Sequence, residues 1–173
     1  MLKEYLEFRN KCLDELTDGT LSKESFITTM FDFFNDHNLS AIKNVTSFDE
    51  ALYNYQYYNV RAKMDMMEFK DYEMRDLQYA LSCRDRAFED YRQKDIMILK
   101  MLDIEGYEHV KGFFIKMNSV DLEGELFEVV FTDKERVIFH TKDRRILRRL
   151  RNNNCFNEEL QESLISEYVN KSW

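Results

Sequence analysis

From Lys142 to Arg151 the chain carries Lys142, Arg144, Arg145, Arg148, Arg149 and Arg151 against a single acid, Asp143. Guanidinium forks recognise carboxylates and phosphates alike. This is therefore the densest binding chemistry in a chain whose formal net charge is −8. Ile146, Leu147 and Leu150 fall among the arginines at helical spacing, which predicts a basic amphipathic helix. Such a helix has two uses. Docked, its arginines pair with the acidic long helix upstream. Turned outward, Arg144, Arg145, Arg148, Arg149 and Arg151 offer a site to RNA, DNA or an acidic protein. The excess of acid in the chain makes internal pairing the cheaper outcome.

Other chemistry is sparse. The four glycines, Gly19, Gly106, Gly112 and Gly124, are too scattered to build a phosphate-cradling loop. No Gly-x-Ser-x-Gly elbow presents a serine nucleophile. His37, His109 and His140 form no His-x-x-x-His or Glu-x-x-His pair, so no metal site and no cofactor are expected. Glu105 and His109 would share a face only on a helix, and a strand is expected to begin there. His140, near a strand end, is the best-placed catalytic candidate, yet no sequence partner accompanies it. Glu68-Phe69-Lys70 has the residues of a nuclease triplet but falls mid-helix, where neither metal geometry nor a strand edge suits it. Cys12, Cys83 and Cys155 are odd in number and far apart, which predicts free thiols in a reducing compartment.

The elements that must carry these residues are dominated by one interval. Between Ser47 and Gly106 there is neither glycine nor proline, and Ser47 with Glu50 has the spacing of a capping box. A continuous helix over 47–104 would be about 85 Å long, at ~1.5 Å per residue. A compact domain of this size has a radius of gyration of only ~16 Å. Either the helix breaks, with a turn or kink near Glu68–Glu73 where charges interrupt the apolar pattern, or it protrudes and a partner covers it. Val60, Met67, Met74, Leu81 and Phe88 recur at seven-residue spacing along it, a partial heptad that predicts a self-association seam. Leu77 and Tyr91 fit the intervening positions and Arg84 does not. Tyrosines and methionines over 53–74 give the interval an adaptable, apolar character.

Upstream, Leu2, Leu6, Leu13 and Leu16 with Tyr5 and Cys12 predict a first helix ending at Gly19. A second helix, capped by Ser22 and apolar over most of its circumference, would form a hairpin with the first. Downstream, alternation over 113–117, 126–131 and 137–140 predicts a three-stranded antiparallel meander. Helices are expected again at about 142–152 and 157–170.

The expected class is α+β, mainly helical: an N-terminal helical hairpin, a long or broken central helix, a small antiparallel three-stranded sheet and two C-terminal helices. The organisation expected is a helical region, 1–105, followed by a sheet with closing helices, 106–173, as one continuous domain. No export signal and no apolar run long enough for a bilayer occur, so a cytoplasmic protein without a membrane partner is expected. The function expected is a non-enzymatic interaction or scaffold protein, with a homodimer through the central helix or another protein as its partner. Nucleic-acid binding through the basic helix is the rival reading. An enzyme with a site assembled near the sheet is the third.

Overall fold

The computed structural model describes residues 2–117, 125–131, 138–141 and 143–155. Five helices carry the chain: α1 (Leu2–Thr17), α2 (Lys23–Asp36), α3 (Phe48–Tyr72), α4 (Leu77–Glu105) and α5 (Arg144–Asn152). The contacts divide into two compact units, Met1–Met97 and Ile98–Trp173.

In the first unit α1 packs on α2 and α2 on α3. Gly19 follows α1 with φ +83°, the left-handed conformation that lets the chain turn without a Cβ clash. The buried line of α1 is Tyr5 and Cys12, with the leucines half-buried on its flanks. Ser22 caps α2 by accepting a hydrogen bond from the Ser25 amide, and α2 buries Phe26, Ile27, Met30 and Phe34. The capping box of α3 is complete: Ser47 Oγ accepts from the Glu50 amide and Glu50 Oε2 from the Ser47 amide. Asn54, fully buried, clamps the loop before α3, its amide bonding both the N–H and the C=O of Ile42 at 2.8 Å. Aromatic rings fill the centre. Phe34 stacks on Tyr5 at 5.2 Å and meets Tyr57 edge-on at 5.1 Å, while Tyr53 stands edge-on to Tyr5.

The Tyr5 hydroxyl sits in this cluster without a hydrogen-bond partner, and burial pushes its pKa up. An unmet buried hydroxyl costs about 1–3 kcal/mol, and phenylalanine keeps the ring without it. Tyr5→Phe should therefore stabilise the first unit by roughly 1 kcal/mol. A denaturant midpoint unchanged or lowered, at constant slope, would show that the hydroxyl is satisfied in solution.

The central interval is a broken helix. The break lies at Glu73–Asp76, later than the Glu68–Glu73 stretch the sequence suggests, and Asp76 restarts the chain by accepting the Tyr79 amide hydrogen at 3.0 Å.

In the second unit the residues buried from solvent are Ile98, Met101 and Leu102 of α4, Ile146, Leu147 and Leu150 of α5, with Val110, Thr141 and Cys155. Asp143 caps α5.

The α+β expectation is corrected: the fold class is mainly helical. Helices of 16, 14, 25, 29 and 9 residues make up most of the described chain and carry nearly every buried side chain described there, by helix-on-helix packing. An α+β fold requires a sheet that serves as a packing layer. In the stretch between η1 (Tyr107–His109) and α5 the side chains of 111–140 lie outside those described, and Val110 and Thr141 at its two ends are buried. Its backbone makes short antiparallel pairings of Val110–Met117 with Glu125–Phe131 and of that segment with Ile138–Thr141. Alternating residues are thus a local pairing signal here, not the mark of the class. The turns expected at 121–124 and 132–135 and the helix expected at 157–170 lie outside the described residues.

Candidate functional site

Four positions on α3 face four on α4 across the turn. Arg61, Asp65, Glu68 and Tyr72 recur at helical spacing, and so do Asp90, Arg86, Cys83 and Tyr79 in mirror order. Arg61 Nε donates to Asp90 at 3.1 Å, and its Nη1 to the Tyr57 hydroxyl at 2.9 Å. Arg86 grips Asp65 Oδ1 with Nε at 3.0 Å and Nη2 at 2.6 Å. Tyr79 donates to Glu68 at 2.7 Å, Cys83 donates weakly to the same oxygen, and the Tyr72 and Tyr79 rings meet at 4.9 Å. The hairpin is held by this ladder of long side chains.

Electrostatics follow the pairing. The bond to Glu68 pushes the Tyr79 hydroxyl up to about 12, and the bond to Asp65 raises the Arg86 guanidinium. Desolvation raises Asp90, with the Arg61 charge working against it.

One side of the ladder opens on a groove of about 400 Å³ with Phe31, Phe34, Leu39 and Met64 as apolar lining and Arg61, Asp65, Glu68, Tyr79 and Arg86 as polar lining. Asp65, Glu68 and Cys83 offer three ligand atoms within 4.8 Å of one another, the donor set of a cation site. The Arg86 guanidinium, however, lies 2.6 Å from Asp65, 3.8 Å from Glu68 and 3.2 Å from Cys83. It already supplies the positive charge that a metal would bring. The Cys83 thiol is fully buried. The arrangement locks two helices together and holds no exposed nucleophile beside a base.

The five positions of the expected seam separate. Val60 is buried in α3 and Met67 is half-buried. Met74 stands in the turn, 92% exposed; Leu81 is half-buried and Phe88 is 56% exposed on α4. Leu77, 61% exposed, joins them. Leu77, Leu81, Arg84 and Phe88 are spaced i, i+4, i+7, i+11 and share one face of α4. Arg84 lies over the Phe88 ring at 5.9 Å. Helical spacing puts this face on the flank of α4 opposite Tyr79 and Arg86, away from the groove. The seven-residue rule thus joins core and surface positions because it runs through a turn.

The basic helix is docked and split. Arg145 closes on its own N-cap, Asp143, whose carboxyl the contact holds below the usual range. Arg149 reaches Asp103 of α4 at 3.2 Å and is raised chiefly by a hydrogen bond to Tyr107. Arg144, Arg148 and Arg151 are exposed, and among the described residues no ion pair reaches them. His37 stacks on Phe33, and His109 lies 3.8 Å from Glu108, so neither faces a nucleophile in these contacts. The side chain of His140 lies outside the described ones. The mirrored ladder is the feature that sequence reading missed, although its signal is present: Arg61/Asp90 and Asp65/Arg86 are opposite charges equidistant from residues 75 and 76.

These elements define a mainly helical protein organised about an ion-paired antiparallel hairpin. The chain belongs to the family of unknown function DUF6648, whose model matches residues 1–173. No curated protein and no solved structure matches it. Among the described residues no helix is long and apolar enough to cross a membrane.

Proposed function

We propose that the protein is a non-enzymatic interaction module that self-associates through the outer face of the α3–α4 hairpin, with Leu77, Leu81 and Phe88 of α4 and Met74 of the turn as the contact. The observation that carries this reading is the exposure of Met74, Leu77 and Phe88 along α4 and the turn before it, whereas the other large apolar side chains described, Tyr72, Tyr79 and Ile104 apart, are buried or half-buried. A second copy is the partner that fits. The stripe covers about 17 Å of helix at ~1.5 Å per residue, and two-fold pairing makes each contact twice. Asp85 and Glu89 border it on one side; within one chain Arg84 meets Asp85 at 3.3 Å and Arg92 meets Glu89 at 2.8 Å, exposed pairs that an antiparallel copy exchanges for intermolecular ones. The self-paired ladder on the opposite flank supports a structural role for the groove and argues against catalysis there. The reading places the chain in the cytoplasm, and the free, buried thiols of Cys12, Cys83 and Cys155 support a reducing compartment.

Sedimentation equilibrium at micromolar concentration tests it. The wild type is expected at about twice the chain mass of 21.1 kDa. Leu77→Glu with Phe88→Glu should restore the single-chain mass and leave a melting temperature that no longer rises with protein concentration, since association stabilises only the folded dimer. Each buried apolar side chain contributes about 1.5–3 kcal/mol. Losing two from each copy should weaken association by more than about 100-fold. A wild type that stays at single-chain mass overturns the proposal.

A further inference from the structure

We propose that the outward face of α5 is a contact for the phosphate backbone of single-stranded nucleic acid, made by Arg144, Arg148 and Arg151. The argument starts from what the helix has already used. Asp143 takes Arg145 in a two-oxygen grip, and Asp103 takes Arg149. The remaining arginines fall at i, i+4 and i+7, on one face, and all three are exposed. Each step along that face rises about 4.5–6 Å, well within the reach of long side chains to successive phosphates. Three like charges at this spacing repel one another, and an anion laid across them reverses the sign of that interaction.

The face is rigid. Ile146, Leu147 and Leu150 are buried, the N-terminus is capped, and the Asn153 amide closes the last turn on the Arg149 carbonyl at 2.8 Å. The same burial decides between macromolecules. No apolar side chain of α5 accompanies the arginines outward, so the helix has nothing to insert among lipid tails, which an interfacial helix requires. Asn152 and Asn154 follow the stripe with exposed amides. They add neutral donors and acceptors of the kind that sugars and bases engage and that a purely acidic surface does not need. The net charge of −8 disfavours nucleic acid for the chain as a whole, so a contact of about three phosphates is weak and salt-sensitive. The proposal is independent of self-association, since it uses no residue of the hairpin.

The test is fluorescence anisotropy with labelled oligouridylate and oligothymidylate, on the full chain, across a salt series. Three phosphate contacts on a single strand give a log–log salt slope of about −2, or roughly a 20-fold loss of affinity between 50 and 200 mM salt. Arg144→Gln, Arg148→Gln and Arg151→Gln together should lower affinity at least about tenfold at 50 mM with the melting temperature unchanged. Arg145→Gln, whose partner is Asp143, should bind as the wild type does. No wild-type binding at 50 mM salt overturns the proposal, as does a triple variant that binds equally well. Binding to phosphatidylserine vesicles without binding to either oligonucleotide overturns it in favour of a membrane surface.

Discussion

Phe34→Ala should cost the first unit about 3–5 kcal/mol and bring it close to unfolding. Phe34 is 2% exposed and touches three rings from two other helices: Tyr5 stacked at 5.2 Å, Tyr57 at 5.1 Å and Tyr53 edge-on at 6.1 Å. Deleting it forfeits the transfer free energy of a buried ring and leaves a cavity whose walls are themselves rigid rings, so little collapse can follow. Aromatic pairs add about 0.5–1.5 kcal/mol beyond the buried area. Phe34→Leu, which keeps most of the volume and loses only ring geometry, should accordingly cost about 1–1.5 kcal/mol. Phe88→Ala is the contrasting control when read at concentrations dilute enough for single chains, because a ring 56% exposed has little packing to lose within one chain, and its effect there should stay within about 0.5 kcal/mol. Urea titrations at matched concentration separate the three. A Phe34→Ala cost below about 1 kcal/mol would mean that α1, α2 and α3 do not share one aromatic core.

How much of this was legible in the sequence differs by residue. The Ser22 and Ser47 caps and the Gly19 stop were readable because their physics is local: one side chain meets one backbone group within a turn of helix. The α3–α4 break was harder, since no glycine or proline marks it. Its signal is Asp76, an N-cap residue within a run of charges that looks equally like a solvated helix face. Misplacing the break had consequences, because the Val60–Phe88 spacing makes one stripe only on an unbroken helix. The residues that zip the hairpin are visible as mirrored charges only once the turn is known. The fold class erred for a related reason. Period-two alternation over 113–131 reports which backbone segments pair, whereas the class follows from the five helices that make up most of the described chain. For α5 the arginine run was plain, whereas its division into two paired arginines and three that no described acid reaches depends on Asp103, far upstream in sequence.

Stability should rise, not fall, as pH climbs from 8 towards 10, and Lys63 is the cause. Burial pushes the Lys63 ammonium down to about 8, with the charges of Lys94 and Lys23 adding to the effect. The unfolded lysine keeps its ordinary value near 10.4. Below pH 8 both states carry the proton and the folded chain bears the full cost of a charged, largely desolvated ammonium. Between 8 and about 10.4 the unfolded chain holds a proton that the folded chain has released, so the slope of stability against pH is positive. At about 1.36 kcal/mol per unit, the gain has a ceiling near 3 kcal/mol, and partial solvent access makes roughly 1–2 kcal/mol the expected size. Above pH 10 the sign reverses. Burial pushes Tyr53 up to about 12 and raises Tyr58 and Tyr91, so the folded chain then keeps protons that the unfolded chain loses. Burial also raises the Cys12 and Cys155 thiols, which opposes the rise from about pH 8.5, so the Lys63 part is read as the difference between wild type and variant. Lys63→Met should abolish the rise while leaving the fall above pH 10 in place, and should stabilise the protein by roughly 1–2 kcal/mol at pH 7. Denaturant midpoints from pH 7 to 11 read both limbs. Wild-type and Lys63→Met profiles of equal slope from 8 to 10 would place the ammonium in solvent, and a variant that retains a rise would assign it to a different group.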